Sequence, residues 1–269
     1  MAEIITITDP TDPRIAAYAD IRERDLVGRK GLFVAEGEVV LRVLVEASNC
    51  QAVSLLVAEK RLAGLAPLLA KLPEAVPVLA VRQEIMNLIV GFPMHRGILA
   101  LGRKPAAALP EALLAGLGKR AVVVVLFAIA NHDNMGGIFR NAAAFGAGAV
   151  LLDSNCCDPL YRKAIRVSVG AALTVPFARL AAGEDCLPLL ASHGFTAIAL
   201  SPQGQIGLAD VRRSDRMALL LGAEGEGLPA EVLARARTVS IPMAAGFDSL
   251  NVATASGIAL HHLAFAAGG

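Results

Sequence analysis

Three stretches of this chain bring together residue types that could do chemistry. The first, residues 131–140, reads N-H-D-N-M-G-G-I-F-R. Asn134 is a candidate helix N-cap, and Gly136 and Gly137 would let another backbone approach closely. Arg140 stands about two turns into the mainly apolar helix that would follow. A helix cap followed by an arginine that snorkels or pairs with a carboxylate explains the same residues without a ligand. The second stretch, residues 219–229, reads L-L-L-G-A-E-G-E-G-L-P. Gly222, Gly225 and Gly227 are spaced G-x-x-G-x-G with no Lys-Ser/Thr after them, so this is not a P-loop. Glu224 and Glu226 would repel phosphate and suit a ligand with hydroxyls or a cation; a simple turn is the alternative. The third stretch, residues 241–252, reads I-P-M-A-A-G-F-D-S-L-N-V. Ser249 or Asp248 could cap a final helix, and Asn251 offers both donor and acceptor for reading a ligand edge or holding a backbone.

The elements that must position these loops follow from hydrophobic patterning. Residues 122–128 form a β-branched run typical of a strand buried on both faces, and 217–221 is another buried strand. Helices are expected over 134–145, 159–169 and 249–267, with further strands at 149–153, 196–200 and 239–242. Each chemical loop therefore follows a strand, where open α/β sheets collect ligands. Upstream, residues 13–26 read as a charged helical stretch, and strands at 32–35, 53–57, 76–81 and 98–101 alternate with helices at 38–47 and 62–71. The 38–47 helix would turn Val39, Leu41, Val43 and Leu44 inward. A stretch bearing Pro105, Pro110 and several alanines separates the two halves. The organisation is thus 1–104, a linker at 105–118 with a possible helix at 111–117, and 119–269. Strand and helix alternation makes both halves α/β.

Composition sets outer limits. The chain has 269 residues, 55% hydrophobic and 18% charged, which excludes disorder. Lys+Arg 25 against Asp+Glu 24 gives no global cationic field, and charge does not separate the halves. With 4% aromatics and no Trp, the core is one of small side chains and close backbones. The longest apolar run, 121–130, is well short of the ~20 residues that span a bilayer, so no membrane partner is expected. No leader sequence is visible, Cys156 and Cys157 are adjacent, and Cys50 and Cys186 stand far off. That pattern reads as reduced thiols in a cytoplasmic protein, with no metal site.

Taken in order, the three stretches resemble the three motifs of the SpoU (TrmH-like) branch of the SPOUT RNA methyltransferases. Asn134, Gly136 and Arg140 match the first; Leu221, Gly222, Glu224, Gly227 and Leu228 the second; Ile241, Pro242, Met243, Ser249, Leu250, Asn251 and Val252 the third. The resemblance covers roughly residues 119–264. Phe33-Val-Ala-Glu-Gly-Glu38, followed by Arg96-Gly-Ile-Leu-Ala100, is similar to the small RNA substrate-binding domain that many members carry. His132, where Pro is common, and Asn141, where Thr or Ser is common, depart from the pattern.

The resemblance implies a catalytic α/β domain with a deep trefoil knot, a homodimer, S-adenosyl-L-methionine as cofactor, and methylation of a ribose 2′-hydroxyl in tRNA or rRNA. It implies Asn134, Arg140, Glu224, Ser249 and Asn251 as the catalytic and substrate set. Leu221, Gly222, Ile241, Met243 and Leu250 are implied as the cofactor pocket. Since guanidinium stays protonated, Arg140 is read here as holding the RNA phosphate beside the target ribose. Arg22, Arg24, Arg29 and Lys30 form a local basic cluster that could meet RNA or simply be a solvated helix face. Small residues at Ala253, Ala255, Gly257 and Ala259 suit a dimer contact or core packing. A non-catalytic RNA-binding or ribosome-assembly factor of the same fold is the rival reading. A nicotinamide oxidoreductase fails on order, because Gly146 and Gly148 follow a helix and precede a strand.

Overall fold

The computed structural model describes residues 2–19, 23–91, 93–245 and 249–265. The chain divides into two compact units, 1–106 with 160–174, and 107–159 with 175–269.

The first unit holds β1 (Ile4–Ile7), α1 (Glu23–Arg29), β2 (Leu32–Glu36), α2 (Glu38–Glu46), β3 (Gln51–Ala58), α3 (Leu62–Leu69), β4 (Val78–Val81), α4 (Gln83–Val90) and β5 (Ile98–Arg103). The strands form one sheet in the order β1-β4-β3-β5-β2, with β5 antiparallel to both neighbours and the rest parallel. The expected 13–26 helix is instead a 3-10 turn at Pro13–Tyr18, capped by Asp12, and the separate α1. Tyr18 is fully buried, and its hydroxyl bonds Ser54 Oγ at 2.7 Å and accepts from Leu101 N at 3.2 Å. On α2, Val40, Leu41 and Leu44 are buried while Val39 is exposed, so the apolar face is rotated from the expected one.

The second unit holds α5 (Pro110–Ala115), β6 (Ala121–Leu126), α6 (His132–Ala144) and β7 (Ala149–Leu152). After α7 (Arg162–Val167), which belongs to the first unit, come β8 (Phe177–Arg179), α8 (Cys186–Ser192), β9 (Thr196–Leu200), β10 (Ile206–Gly207), β11 (Arg216–Leu221), α9 (Ala230–Arg235), β12 (Arg237–Ser240) and α10 (Val252–Phe265). Its seven strands are all parallel in the order β10-β12-β9-β11-β6-β7-β8. The central run Val122 to Leu126 is buried on both faces, as its β-branched composition requires. Because all strands run the same way, the loops after β6, β9, β11 and β12 leave from one end of the sheet.

The expected linker is only partly a linker. Its second half is α5, whose Leu114 is fully buried in the core of the second unit. Arg216 donates to the carbonyls of Leu114, Leu117 and Gly118, tying the end of that helix and the segment after it to the start of β11.

Helix α10 lies on α6, and small side chains set their approach. A Cβ on Gly137 would stand 2.7 Å from Ala253 Cβ, and one on Gly257 would stand 3.2 Å from Asn141 Nδ2. Asn141 donates to Ala253 O at 2.7 Å and to the buried Ser256 Oγ at 2.9 Å. The small residues of the last helix are therefore used inside this chain at Ala253, Gly257 and the buried Ala259. Asn141, the departure noted above, is what fastens the helix pair. Gly137→Ala should push the two helices apart and destabilise the protein by about 1–3 kcal/mol, read as a lower urea midpoint with unchanged slope.

Candidate active site

The first loop begins where β6 ends. Ala128 takes a left-handed φ of 54°, and Ile129 is then gripped from the neighbouring 153–157 loop. Its N–H donates to Cys156 Sγ at 3.3 Å, and its carbonyl accepts from Cys157 N at 2.9 Å. Cys156 Sγ in turn donates to Leu126 O at 3.4 Å. Burial pushes the Cys156 thiol up to about 12, so it stays a neutral thiol brace and not a nucleophile.

The cap of α6 is Asn131, not Asn134. Its Oδ1 accepts from Asp133 N at 2.7 Å and Asn134 N at 3.4 Å. Moving the cap three residues upstream frees the Asn134 side chain, which is buried. The final helix differs in the same way from its expected start. It begins at Val252, and the cap is Asn251, whose Oδ1 accepts from Ala253 N at 3.0 Å and Thr254 N at 3.2 Å. Asp248 lies outside the described residues.

With its oxygen turned to the helix, Asn251 points its Nδ2 outward. That one nitrogen donates to Asn134 Oδ1 at 2.8 Å and to Glu224 Oε1 at 2.7 Å. Residues from three loops, 117 positions apart at the extremes, thus meet at one amide. Beside them is a cavity of about 690 Å³ lined by Leu221, Gly222, Glu224, Ile241, Met243, Ser249, Leu250 and Asn251. All five residues expected at a cofactor pocket line it. The volume lies within the ~300–1,000 Å³ of small-molecule sites.

Gly222 is where the loop after β11 packs most tightly on itself. A Cβ there would sit 2.1–2.3 Å from the backbone of Gly227 and Leu228, so the glycine loop closes on itself only because position 222 has no side chain. The cavity has one wall that the sequence reading missed, Ser201, Pro202 and Gln203 after β9. A strand followed by Ser-Pro-Gln-Gly was its available signal. Gly204 continues that wall pressed against Val239 and Ser240, where a Cβ would meet backbone at 2.2 Å.

Arg140 is not among the cavity-lining residues. Ile138, Phe139 and Ala142 are buried in the helix, which turns Arg140 to the surface, where it makes no ion pair among the described residues. Arg29 and Lys30 belong to the first unit, at the start of β2; Arg22 and the side chain of Arg24 lie outside the described residues. No cluster of three or more His, Cys, Asp or Glu suited to a metal occurs among the described residues, and no helix there is long and apolar enough to cross a membrane.

The sequence and the fold of this chain both have counterparts among known proteins. Residues 121–261 match the SpoU rRNA Methylase family. The chain is 38% identical over 270 residues to an uncharacterized tRNA/rRNA methyltransferase of Mycobacterium tuberculosis (strain H37Rv), covering 96% of this chain and 91% of that protein. In fold it is similar to an AdoMet-bound rRNA methyltransferase from Sinorhizobium meliloti (24% identity, TM-score 0.79, 97% of both chains). It is also similar to a solved RNA 2′-O ribose methyltransferase (26% identity, TM-score 0.79, 96% and 98%). The chain belongs to the SpoU rRNA methylase family and is an RNA methyltransferase of that family.

Asn251→Asp isolates the central tie, since Asp caps a helix as well as Asn does. It would set a carboxylate against Glu224 and Asn134 Oδ1. The expected cost is about 1–3 kcal/mol in urea denaturation at neutral pH. The folded-state pKa of the new carboxyl should be raised by its neighbour, so the loss should shrink as pH falls through that pKa.

Proposed function

We propose that this protein methylates a ribose 2′-hydroxyl of tRNA or rRNA with S-adenosyl-L-methionine as donor. The observation that carries the reading is the Asn134–Asn251–Glu224 junction at the edge of the 690 Å³ cavity. The donor fits the residues present. Leu221, Ile241, Met243 and Leu250 offer an apolar wall, and Gly222 lets the loop after β11 close on its own backbone at Gly227 and Leu228 and so shape that wall. When bound, S-adenosylmethionine supplies a methyl group already activated by sulfonium. The protein's own task is then alignment of donor and acceptor, together with help in removing the hydroxyl proton.

The residues divide that task. Asn134 and Asn251 hold each other and fix the three loops in register. Glu224 presents its second oxygen at the edge of the cavity, suited to a hydroxyl or to a cationic ligand. Ser249 lines the same space. Arg140, exposed and without a carboxylate partner among the described residues, holds the RNA phosphate beside the target ribose as a planar bidentate donor.

The family fold supports two further points. Ile241, Met243, Ser249 and Leu250 line the cavity together with residues after β9 and β11, and α10 then lies on α6, which suits a trefoil knot tied around the cavity. On α10, Ile258 is 41% and Phe265 70% exposed. His261 packs edge-on against Phe145 and tilted against Phe265. An apolar helix face of that kind suits a homodimer contact.

The test uses labelled S-adenosylmethionine, total cellular RNA and nucleoside analysis of the product. A 2′-O-methyl nucleoside is expected; a base-methylated product overturns the ribose assignment. Donor binding without any transfer favours the non-catalytic reading. Gly222→Ala should weaken donor binding at least tenfold by calorimetry. Arg140→Lys should cut transfer at least tenfold while leaving donor affinity unchanged, and full retained turnover would remove the bidentate phosphate contact.

A further inference from the structure

We infer, on the methyltransferase reading above, that Cys156 is a positioning residue for methyl transfer. Through Ile129 its thiol holds the loop between β6 and α6 in the conformation that brings Asn134 to Asn251. Cys156 is not among the cavity-lining residues, and its sulfur bonds backbone, not Asn134, Asn251 or Glu224. Its effect on the site therefore runs through the chain it braces.

Residues 127–131 join the end of β6 to the start of α6. Within them Ala128 takes its φ of 54°, a left-handed backbone that residues with a Cβ rarely adopt. On one side Phe127 N donates to Leu221 O at 2.9 Å, so the loop leaves from the strand that leads into Gly222. On the other side stands the 153–157 loop. Ile129 is buried, and its N–H has the Cys156 sulfur as acceptor, while its carbonyl takes Cys157 N. The Cys156 S–H goes to Leu126 O, which also accepts from Asp153 N at 2.9 Å. One thiol thus spans the left-handed turn, bonded to the residue two before Ala128 and to the residue after it. Two positions past Ile129, Asn131 caps α6, and three further on Asn134 receives the Asn251 amide.

The brace is itself anchored. Asp153 Oδ1 accepts from Asn155 N at 3.0 Å and from Cys156 N at 2.9 Å. Arg179, exposed at the end of β8, donates Nη1 to Asp153 O at 2.8 Å and to Cys156 O at 3.0 Å. The carboxyl ends of β8, β7 and β6 are in this way linked in series to the Asn134–Asn251–Glu224 junction. Sulfur suits the post. Hydroxyl hydrogen bonds close at about 2.7–3.0 Å. The two partners stand 3.3 and 3.4 Å from the sulfur, and a serine oxygen would sit nearer its own Cβ, so it could not reach both. Burial first, and then the neighbouring Asp153, keep the thiol protonated, so its donor is present at neutral pH. None of residues 127–135 lines the cavity. Loosening this loop should therefore slow transfer and leave donor binding alone.

The experiment follows three quantities in the full chain. They are turnover with labelled S-adenosylmethionine and total cellular RNA, donor affinity by calorimetry, and the side-chain amide resonances of Asn251 in RNA-free protein, assigned by their loss in Asn251→Asp. Cys156→Ala should cut turnover roughly ten- to a hundredfold, the scale of a small misplacement at a reacting centre. It should also shift the Asn251 resonances and leave donor affinity within about twofold. Cys156→Ser should change the same quantities in the same direction. Cys186→Ala empties an equally buried thiol site in the core of the same unit, and should change neither turnover nor resonances. Ala128→Gly removes the strain of the left-handed position. It should raise the turnover of Cys156→Ala by about two- to fivefold, a rescue that mere loss of packing would not show. Arg179→Ala tests the same brace from the surface if Cys156→Ala does not fold, and should shift the same resonances. Unmoved Asn251 resonances in folded Cys156→Ala or Arg179→Ala overturn the brace. Shifted resonances with wild-type turnover in Cys156→Ala overturn its role in transfer. A wild-type protein that transfers no methyl group overturns the enzymatic reading instead, and the resonances still report whether the thiol sets the junction.

Discussion

The active-site region depends on one side-chain amide. Asn251 has two kinds of hydrogen-bonding atom, and both are fully committed. Its oxygen accepts from Ala253 N and Thr254 N, as a helix cap must. Its nitrogen then has to face two acceptors, Asn134 Oδ1 and Glu224 Oε1. The orientation of the amide follows from the network, because the reverse flip would set oxygen against oxygen. Asp would cap the helix and repel the two acceptors; Ser would cap it and lose one of them. The start of α10 and the meeting of the three loops are consequently one structural event.

That event requires unusually close backbones, and the composition supplies them. Asn134 and Asn251 can meet only if α6 and α10 lie close, which Gly137 and Ala253 allow. The cavity beside them exists because the loop after β11 folds over Gly222 with no room for a methyl group. The scarcity of aromatic residues, uninformative as a number, is the trace of this packing. The cysteines fit the same pattern. Cys156 fills a small buried space and uses its weak donor and acceptor on Ile129 and Leu126, where a larger side chain would not fit and an ionised one would cost solvation.

The first unit works by different means. It buries a carboxylate, Glu36, and satisfies it with arginines from a segment that the sequence places more than a hundred residues away. Removing both arginines would leave the Glu36 carboxylate buried without a counter-charge, so the contact ties residues 160–174 to the end of β2. Gly37 and Gly97 take positive φ where backbone hydrogen bonds tie the ends of β2, β3 and β5 together.

Much of this was legible in the residues. Periodicity located the buried strands of both units to within a few positions, because a run such as Val122 to Val125 has few alternatives to a doubly covered strand. The motif order pointed to the family, and the five residues it placed at a cofactor pocket all line the cavity, whereas the wall after β9 carried no such motif signal. The short α4, α8 and α9, of six to eight residues, and the edge strands β8 and β10, of three and two, leave too little pattern to be read from the residues. Both helix caps were misplaced, Asn134 for Asn131 and Ser249 or Asp248 for Asn251. Local rules rank Asn, Asp and Ser as near equals, and only tertiary contact decides which one is free to cap. The sequence by itself determined which residue types are available and in what order. The folded chain alone decided that one asparagine would serve two masters and that Arg140 would face outward. Those outcomes depend on distances between residues far apart in the chain, which no local pattern encodes.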